Sequence, residues 1–377
     1  VTHLHLAVDL TGSGAHPAAW RTLDPEQLRS AVATLAAHLD TSVRAGFDLA
    51  LLDDSLTLAP AADHTVRGSL DAVLVASRLA PVSSGIGLVA TVDTTHTEPF
   101  HVAKALQTLD HVSSGRGGWQ VAWSTTPAGA AAFGRKDVQD EADAVDEARE
   151  VVGVVRDLWD SWEDDAEIRD AATSRFVDRD KLHYVDHVGE RFTVKGPSIT
   201  PRSPQGQLPV VVRVGSPESV GLAGRVADVV RIEARGVDRA AELVARVRTA
   251  AAEAGRDPQD VRVLVDLVVV LGADDGAARA RRGLLDGLAG SAFAPATLLH
   301  VGDAASLVEL VARWAPVVDG FTVRPASLRA DLPLLADQVL PALRAVGLAA
   351  DAYPVRTGST LRDSLGLPRP ASRYAAV

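Results

Sequence analysis

Short runs rich in Val, Leu and Ile alternate along the chain with longer stretches whose apolar residues recur every three or four positions. The first pattern belongs to strands and the second to helices with one buried face. Strand candidates are 4–10, 49–52, 86–92, 118–124, 210–214, 229–233, 263–270 and 320–323. Helical patterns lie between them at 26–45, 68–79, 99–111, 138–162, 217–226, 239–253 and 304–314, and a final helix is expected at about 332–346.

Several strand candidates are almost unbroken Val/Leu/Ile, which implies burial on both faces, as in a parallel sheet covered by helices. Eight such strands alternating with helices in 377 residues favour an α/β fold closed as a (β/α)8 TIM barrel. An open doubly wound sheet is the alternative. No G-x-G-x-x-G follows the first strand to anchor a dinucleotide fold, and Gly85-Ile86-Gly87 is only a turn entering a strand. One domain over 1–377 is expected.

The stretch 138–162 illustrates the helical pattern. Val138, Ala142, Val145, Val152, Val155, Trp159 and Trp162 form one apolar stripe, and Asp140, Glu141, Asp143, Asp146 and Glu147 fall off it. The acidic residues therefore read as a solvent face in the helix's N-terminal half, where negative charge suits the dipole. Two segments break the alternation. One is 164–208, an insertion after the fourth helix rich in Pro, Gly and charge, expected to form a flap at one rim. The other is the irregular segment 283–302.

Composition narrows the function. Hydrophobic residues make up 47% of the chain, enough for a large core, and 23% are charged. The net charge of -11 argues against nucleic-acid and anionic-membrane partners. The acidic triplet Glu163-Asp164-Asp165 reads as a solvated helix end. With no cysteine, disulfides, thiolate metal sites and cysteine nucleophiles are excluded. The apolar segment 4–10 is too short for a signal-peptide core, and 261–271 is broken by Asp266 and short of the roughly 20 residues of a membrane helix. A soluble, cytoplasmic protein is expected.

Motifs from end to end carry a resemblance. They are 47–56 (FDLALLDDSL), 98–119, 158–165 (LWDSWEDD), 185–207 (VDHVGERFTVKGPSITPRSPQGQ), 210–230, 319–321 and 360–367 (TLRDSLGL). In these the chain resembles the bacterial luciferase-like flavin monooxygenases, in particular the nitrilotriacetate/dibenzothiophene-sulfone monooxygenase subgroup. The resemblance implies a TIM barrel with an inserted flap and a C-terminal extension. It also implies reduced FMN at the strands' C-terminal rim, with O2 activated there against a small organic substrate. A separate NAD(P)H:flavin reductase would supply the flavin, and the chain would assemble as a homodimer or homotetramer.

Carried over residue by residue, the resemblance places Asp54 at the flavin site, with Asp53 beside it as a competing choice. It assigns the turn Gly215-Ser216-Pro217-Glu218 to the FMN phosphate, and Ser216 and Pro217 suit the N-cap and first position of a helix whose free N–H groups face an anion. Arg213, where relatives often have glutamine, would either add charge there for the phosphate or occupy the space. The fourth strand reads Trp119-Gln120-Val121-Ala122-Trp123-Ser124, so Gln120 stands for an asparagine and Trp123 for a small hydroxyl residue. Asp93 stands where serine is common and His96 where tyrosine is common; His96 is the candidate for proton transfer. The relatives' Arg-Tyr pair aligns with Ala144-Val145, where Val145 reads as a packing residue.

Other constellations point less far. His3-x-His5 alternates on one strand face and lacks a third ligand in sequence, and His183 and His187 have helical metal-pair spacing but fall within the flap motif. No metal site is expected. Ser124 and His96 lack a nucleophile-elbow context. Two other functions stay open beside the FMN-dependent monooxygenase. One is a non-catalytic or altered-cofactor paralogue that binds a small ligand or partner; the other is a deazaflavin (F420)-dependent oxidoreductase.

Overall fold

A computed structural model describes residues 3–58, 68–350 and 359–374. Nine parallel strands run in chain order: β1 (His5–Asp9), β2 (Leu49–Leu52), β3 (Gly87–Asp93), β4 (Gly117–Ala122), β5 (Val210–Val214), β6 (Val229–Ile232), β7 (Arg262–Leu271), β8 (Leu298–Gly302) and β9 (Gly320–Pro325). Eight of them form a ring in the order β6-β5-β4-β3-β2-β1-β9-β7, closed by the pairing of Val229–Ile232 with the start of β7. All eight expected strands are in that barrel.

The helices outside it are α1 (Ala31–Ala45), α2 (Ala72–Leu79), α3 (Pro99–Val112), α4 (Glu141–Asp160), α5 (Pro217–Val226), α6 (Val237–Glu253), α7 (Asp275–Ala289) and α8 (Ala304–Trp314). Among the described residues no helix is long and apolar enough to cross a membrane. The run expected at 26–45 is two helices. Asp24 and Gln27 form a capping box on the first, and Ser30 leaves helical geometry between the two. The run expected near 332–346 is an α-helix, a π-helical turn (Leu335–Val339) and a second α-helix, with Pro333 and Pro341 withholding backbone donors on either side of the turn.

The segment 283–302 is irregular only over 290–297. It holds the second half of α7 and all of β8. Only Ala278 and Leu285 are buried in α7, so its apolar stripe is too thin to register as a period, although Asp274 caps it by accepting the Ala277 N–H at 2.8 Å. Strand β8 is not a ring member. It continues the edge of β7 beyond β6, with Leu267 opposite Leu298, and so lines the C-terminal rim.

The α4 stripe also sits differently from expectation. Val138 precedes the helix and Ala142 is exposed, while Ala144, Val145, Ala148, Val151, Val152, Val155, Leu158 and Trp159 are buried. Glu147, expected on the solvent face, is only 1% exposed because Lys136 pairs with it and Gln139 donates to it at 2.8 Å.

The insertion starts where α4 ends. Its hairpin His187–Val188/Thr193–Val194 lies against α4 through His187 Nε2 to Glu150 at 2.8 Å and Arg191 to Asp146 at 2.9 Å. It then returns to the strands' N-terminal end. There Arg202 meets Asp160 at 3.0 Å, and Gln205 bonds both Asp110 (2.6 Å) and the Gly117 carbonyl (2.8 Å). The GPSITPRSPQGQ motif is thus a girdle around the barrel floor rather than part of a mouth.

The same floor is closed by the short helix Leu361–Ser364. Leu361, Leu365 and Leu367 enter the barrel against Ala7, Leu49, Leu51, Val89, Val211, Val229 and Leu264. The approach is close enough to require glycine: a Cβ on Gly87 would lie 2.4 Å from a Leu361 methyl.

At the start of β1, burial and then the charge of Arg262 lower the His5 pKa to about 4, with Asp319 opposing. The folded chain keeps His5 neutral while the unfolded chain takes a proton near 6.5. Stability from this group is therefore present above about pH 6.5 and lost as pH falls towards 4. His5→Asn is expected to remove about 2–3 kcal/mol of wild-type pH dependence across that window. Urea unfolding of both proteins at pH 7 and at pH 4 checks it; equal pH slopes would refute it.

Candidate active site

Alternation along the strands sends one residue in two into the barrel. Above the apolar floor this places a polar layer just below the C-terminal mouth. Arg231 of β6 grips Asp266 of β7 through Nε and Nη2 at 2.9 and 2.8 Å, and its Nη1 donates to Gln120 Oε1 at 2.7 Å. Gln120 Nε2 donates to Thr91 Oγ1 at 2.8 Å. Arg324 lies 3.3 Å from Asp9 and 3.7 Å from Asp266. Burial opposes the Arg231 charge, but Asp266 more than compensates and holds it protonated. Burial likewise opposes the Asp9 charge, yet Arg324 and Arg231 keep its carboxyl below the usual range.

This layer absorbs Gln120, whose amide bonds Thr91 and Arg231 and does not line the open cleft above. It also separates the two β2 carboxylates. Leu49 and Leu51 face inward, so Asp53 does too. Its side chain reaches solvent in the mouth, and the crowding barrel wall and then Asp9 push its carboxyl up against the pull of Thr91 and Arg231. Asp54 turns aside to fasten its own loop, accepting Ser55 N–H at 2.7 Å, Ala72 N–H at 3.0 Å and the Ser69 hydroxyl at 3.2 Å.

At the tips of β2, β3 and β4 opens a cleft of about 600 Å³, bordered by Asp54, Asp93, His101, Val102, Trp123 and Ser124. Asp93 caps the turn after β3 by accepting the N–H of Thr95 at 2.9 Å and of His96 at 3.2 Å, while burial raises its carboxyl. His96 is not in this cleft. It stacks on Phe133 in an adjoining pocket of about 160 Å³ with Lys136, Glu147 and Arg191, and its buried Nδ1 has no partner. His101 is the histidine that borders the cleft itself.

Beyond Trp123 lies the turn after β5. Arg213 shares register with Arg231, faces the mouth and pairs with Glu233 rather than reaching the turn. Ser216 caps α5 as expected, and three of the turn's N–H donors are already taken. The N–H groups of Gly215 and Ser216 donate to Ser219 Oγ at 3.0 and 2.9 Å, and Ser219 N–H donates to Ser216 Oγ at 3.2 Å. Ser219 gives its hydroxyl proton to the Ser216 carbonyl at 2.9 Å. That leaves the Ser216 hydroxyl to donate to Glu141 Oε1 at 3.0 Å, and the Trp123 indole donates to Glu141 Oε2 at 3.1 Å.

The FMN that the resemblance implies can be tested against this geometry. The cleft has the size of a small-molecule site, for which roughly 300–1,000 Å³ is usual, so the ring end fits. The phosphate end does not. Its turn has the Gly215, Ser216 and Ser219 donors engaged within the chain and meets a carboxylate where an anion would need a hydroxyl. The residue of α4 that reaches the turn is Glu141; Val145, one turn on, is a buried packing residue.

Sequence reasoning placed Glu141 on a solvent face and left Arg231, Asp266 and Arg324 unmentioned as site residues. The one available signal was a charged residue in the middle of each of two Val-rich strands, which demands a partner. The histidine constellations are structural or solitary. His183 and His187 are not helical, and they pair with Glu163 and Glu150, each at 2.8 Å. Among the described residues no group of His, Cys, Asp and Glu could hold a metal.

Comparison with known proteins adds four findings. Residues 14–319 match the family model described as luciferase-like monooxygenase. The chain is 30% identical to the N-acetyl-S-(2-succino)cysteine monooxygenase of Bacillus subtilis over 99% of this chain and 98% of that protein. It is also 30% identical to the dibenzothiophene-sulfone monooxygenase of Rhodococcus erythropolis over 88% of each. The solved structure of the EDTA monooxygenase from Chelativorans sp. BNC1 superposes with a TM-score of 0.86 at 23% identity, covering 97% of this chain and 99% of that one.

Proposed function

The chain belongs to the luciferase-like monooxygenase family, and from that premise we propose that it is the oxygenase component of a two-component system acting on a small organic substrate. As a flavin-dependent monooxygenase it draws on reduced flavin for two electrons, with one atom of O2 going to the substrate and the other leaving as water. A separate NAD(P)H:flavin reductase belongs to this proposal, as does assembly into a homodimer or homotetramer.

The observation that carries the reading is the cleft of about 600 Å³ at the C-terminal tips of β2 to β4, the end of a TIM barrel where reactions take place. The chain's own share is to bind and orient the substrate there and to keep water out. Val102 and Trp123 supply apolar wall, and the Arg231–Asp266 layer closes the barrel beneath. Asp53 and Asp93, whose carboxyls are both raised, are the groups placed to hold a proton in the mouth.

Anaerobic titration of the purified protein with photoreduced flavins, followed by mixing with O2, tests the proposal. Saturable binding at tens of micromolar, with flavin reoxidation altered by the bound protein, is the expected result. Absence of binding by any flavin to a folded sample would sink the reading.

A further inference from the structure

We infer that this chain selects a flavin whose side chain ends in an uncharged hydroxyl, riboflavin being the simplest, over the same flavin carrying a terminal phosphate. The inference rests on the flavin-monooxygenase reading above and sharpens it at one point, the chemistry of the cofactor's tail.

Three observations meet at the α5 N-terminus. The N–H groups that would embrace a phosphate, those of Gly215, Ser216 and Ser219, are satisfied by the Ser216–Ser219 capping box. The remaining hydroxyl proton, on Ser216, goes to Glu141. Arg213, the nearby cation, is neutralised by Glu233. A phosphate at this turn would find those three donors engaged and face the Glu141 carboxylate, and like charges set together at a binding surface repel. A ribityl hydroxyl has the opposite requirement. It carries a proton to donate, and Glu141 is an acceptor held in place by two donors, Ser216 and Trp123.

Trp123 adds a second element. Its ring borders the cleft while its N–H holds Glu141, so one side chain links the ring end of the site to the tail end. The Glu141 carboxylate is thereby held beside a residue that borders the cleft.

The test compares riboflavin and FMN, oxidised and photoreduced, by fluorescence and absorbance titration of the wild-type chain, Glu141→Gln and Trp123→Phe. Wild type is expected to bind riboflavin at least about tenfold more tightly than FMN, which corresponds to about 1.4 kcal/mol. Raising the salt should narrow that gap, because screening weakens the repulsion. Glu141→Gln should gain FMN affinity by about tenfold while leaving riboflavin nearly unchanged. Trp123→Phe, which keeps the bulk and the carboxylate, should still discriminate against FMN. Equal or tighter wild-type binding of FMN overturns the inference and leaves the monooxygenase reading standing. A riboflavin preference that Glu141→Gln does not alter overturns the role given to Glu141. Failure of both flavins to bind folded wild type overturns the reading beneath it as well.

Discussion

Asp266→Asn is expected to lower the folding free energy by about 3–5 kcal/mol, the usual consequence of removing one partner from a buried ion pair. Both side chains are nearly fully buried, Arg231 at 4% and Asp266 at 0% exposure, and they meet through two parallel hydrogen bonds. With the carboxylate gone, the Arg231 guanidinium keeps Gln120 and one amide oxygen as neutral acceptors, an NH2 faces its second donor, and Asp9 at 3.9 Å is left as a more distant negative charge. The cost comes from stranding a charge rather than from losing an attraction. The double change Arg231→Met with Asp266→Leu should therefore recover much of the loss. Urea unfolding reads both results as shifts in midpoint at unchanged slope. A single variant within about 1 kcal/mol of wild type would show that water or another group replaces Asp266.

Leu361→Ala should cost about 2–5 kcal/mol, the range for deleting a buried leucine side chain that its surroundings cannot refill. The site cannot collapse inward, because its neighbours Gly87 and Gly118 are backbone in barrel strands and have no side chain to move into the gap. Flavin and substrate binding should be unaffected, since the floor and the mouth are opposite ends of the barrel. Unfolding and flavin titration on one preparation separate the two effects. A small stability loss, or a binding defect at full stability, would contradict the assignment of this helix to the floor.

How much of this was legible in sequence depends on the range of the interaction concerned. The barrel strands were legible because burial on both faces writes itself as consecutive Val, Leu and Ile, as in β5 and β7. The α5 start was legible because Ser216 and Pro217 act within one turn of themselves. Strand β8 was not, since five residues with two half-buried positions leave too little pattern. Pleat parity counted from Leu49 and Leu51 sends Asp53 inward, while Asp54, the flavin-site candidate, borders the cleft. Glu141 was out of reach. Its role exists only because the first turn of α4 meets the first turn of α5, a contact between residues 75 positions apart.

The floor helix has a consequence for how the molecule is made. Leu361 seals an opening framed by Gly87 and Gly118, so the barrel's interior cannot become dry until a segment much later in the chain has emerged and docked. Contacts of such sequence separation form late and slow the final step of folding. A chain still on the ribosome would hold an open-ended barrel whose apolar interior faces water, the kind of species that chaperones retain. For this protein the closing of the core waits on the docking of Leu361, Leu365 and Leu367.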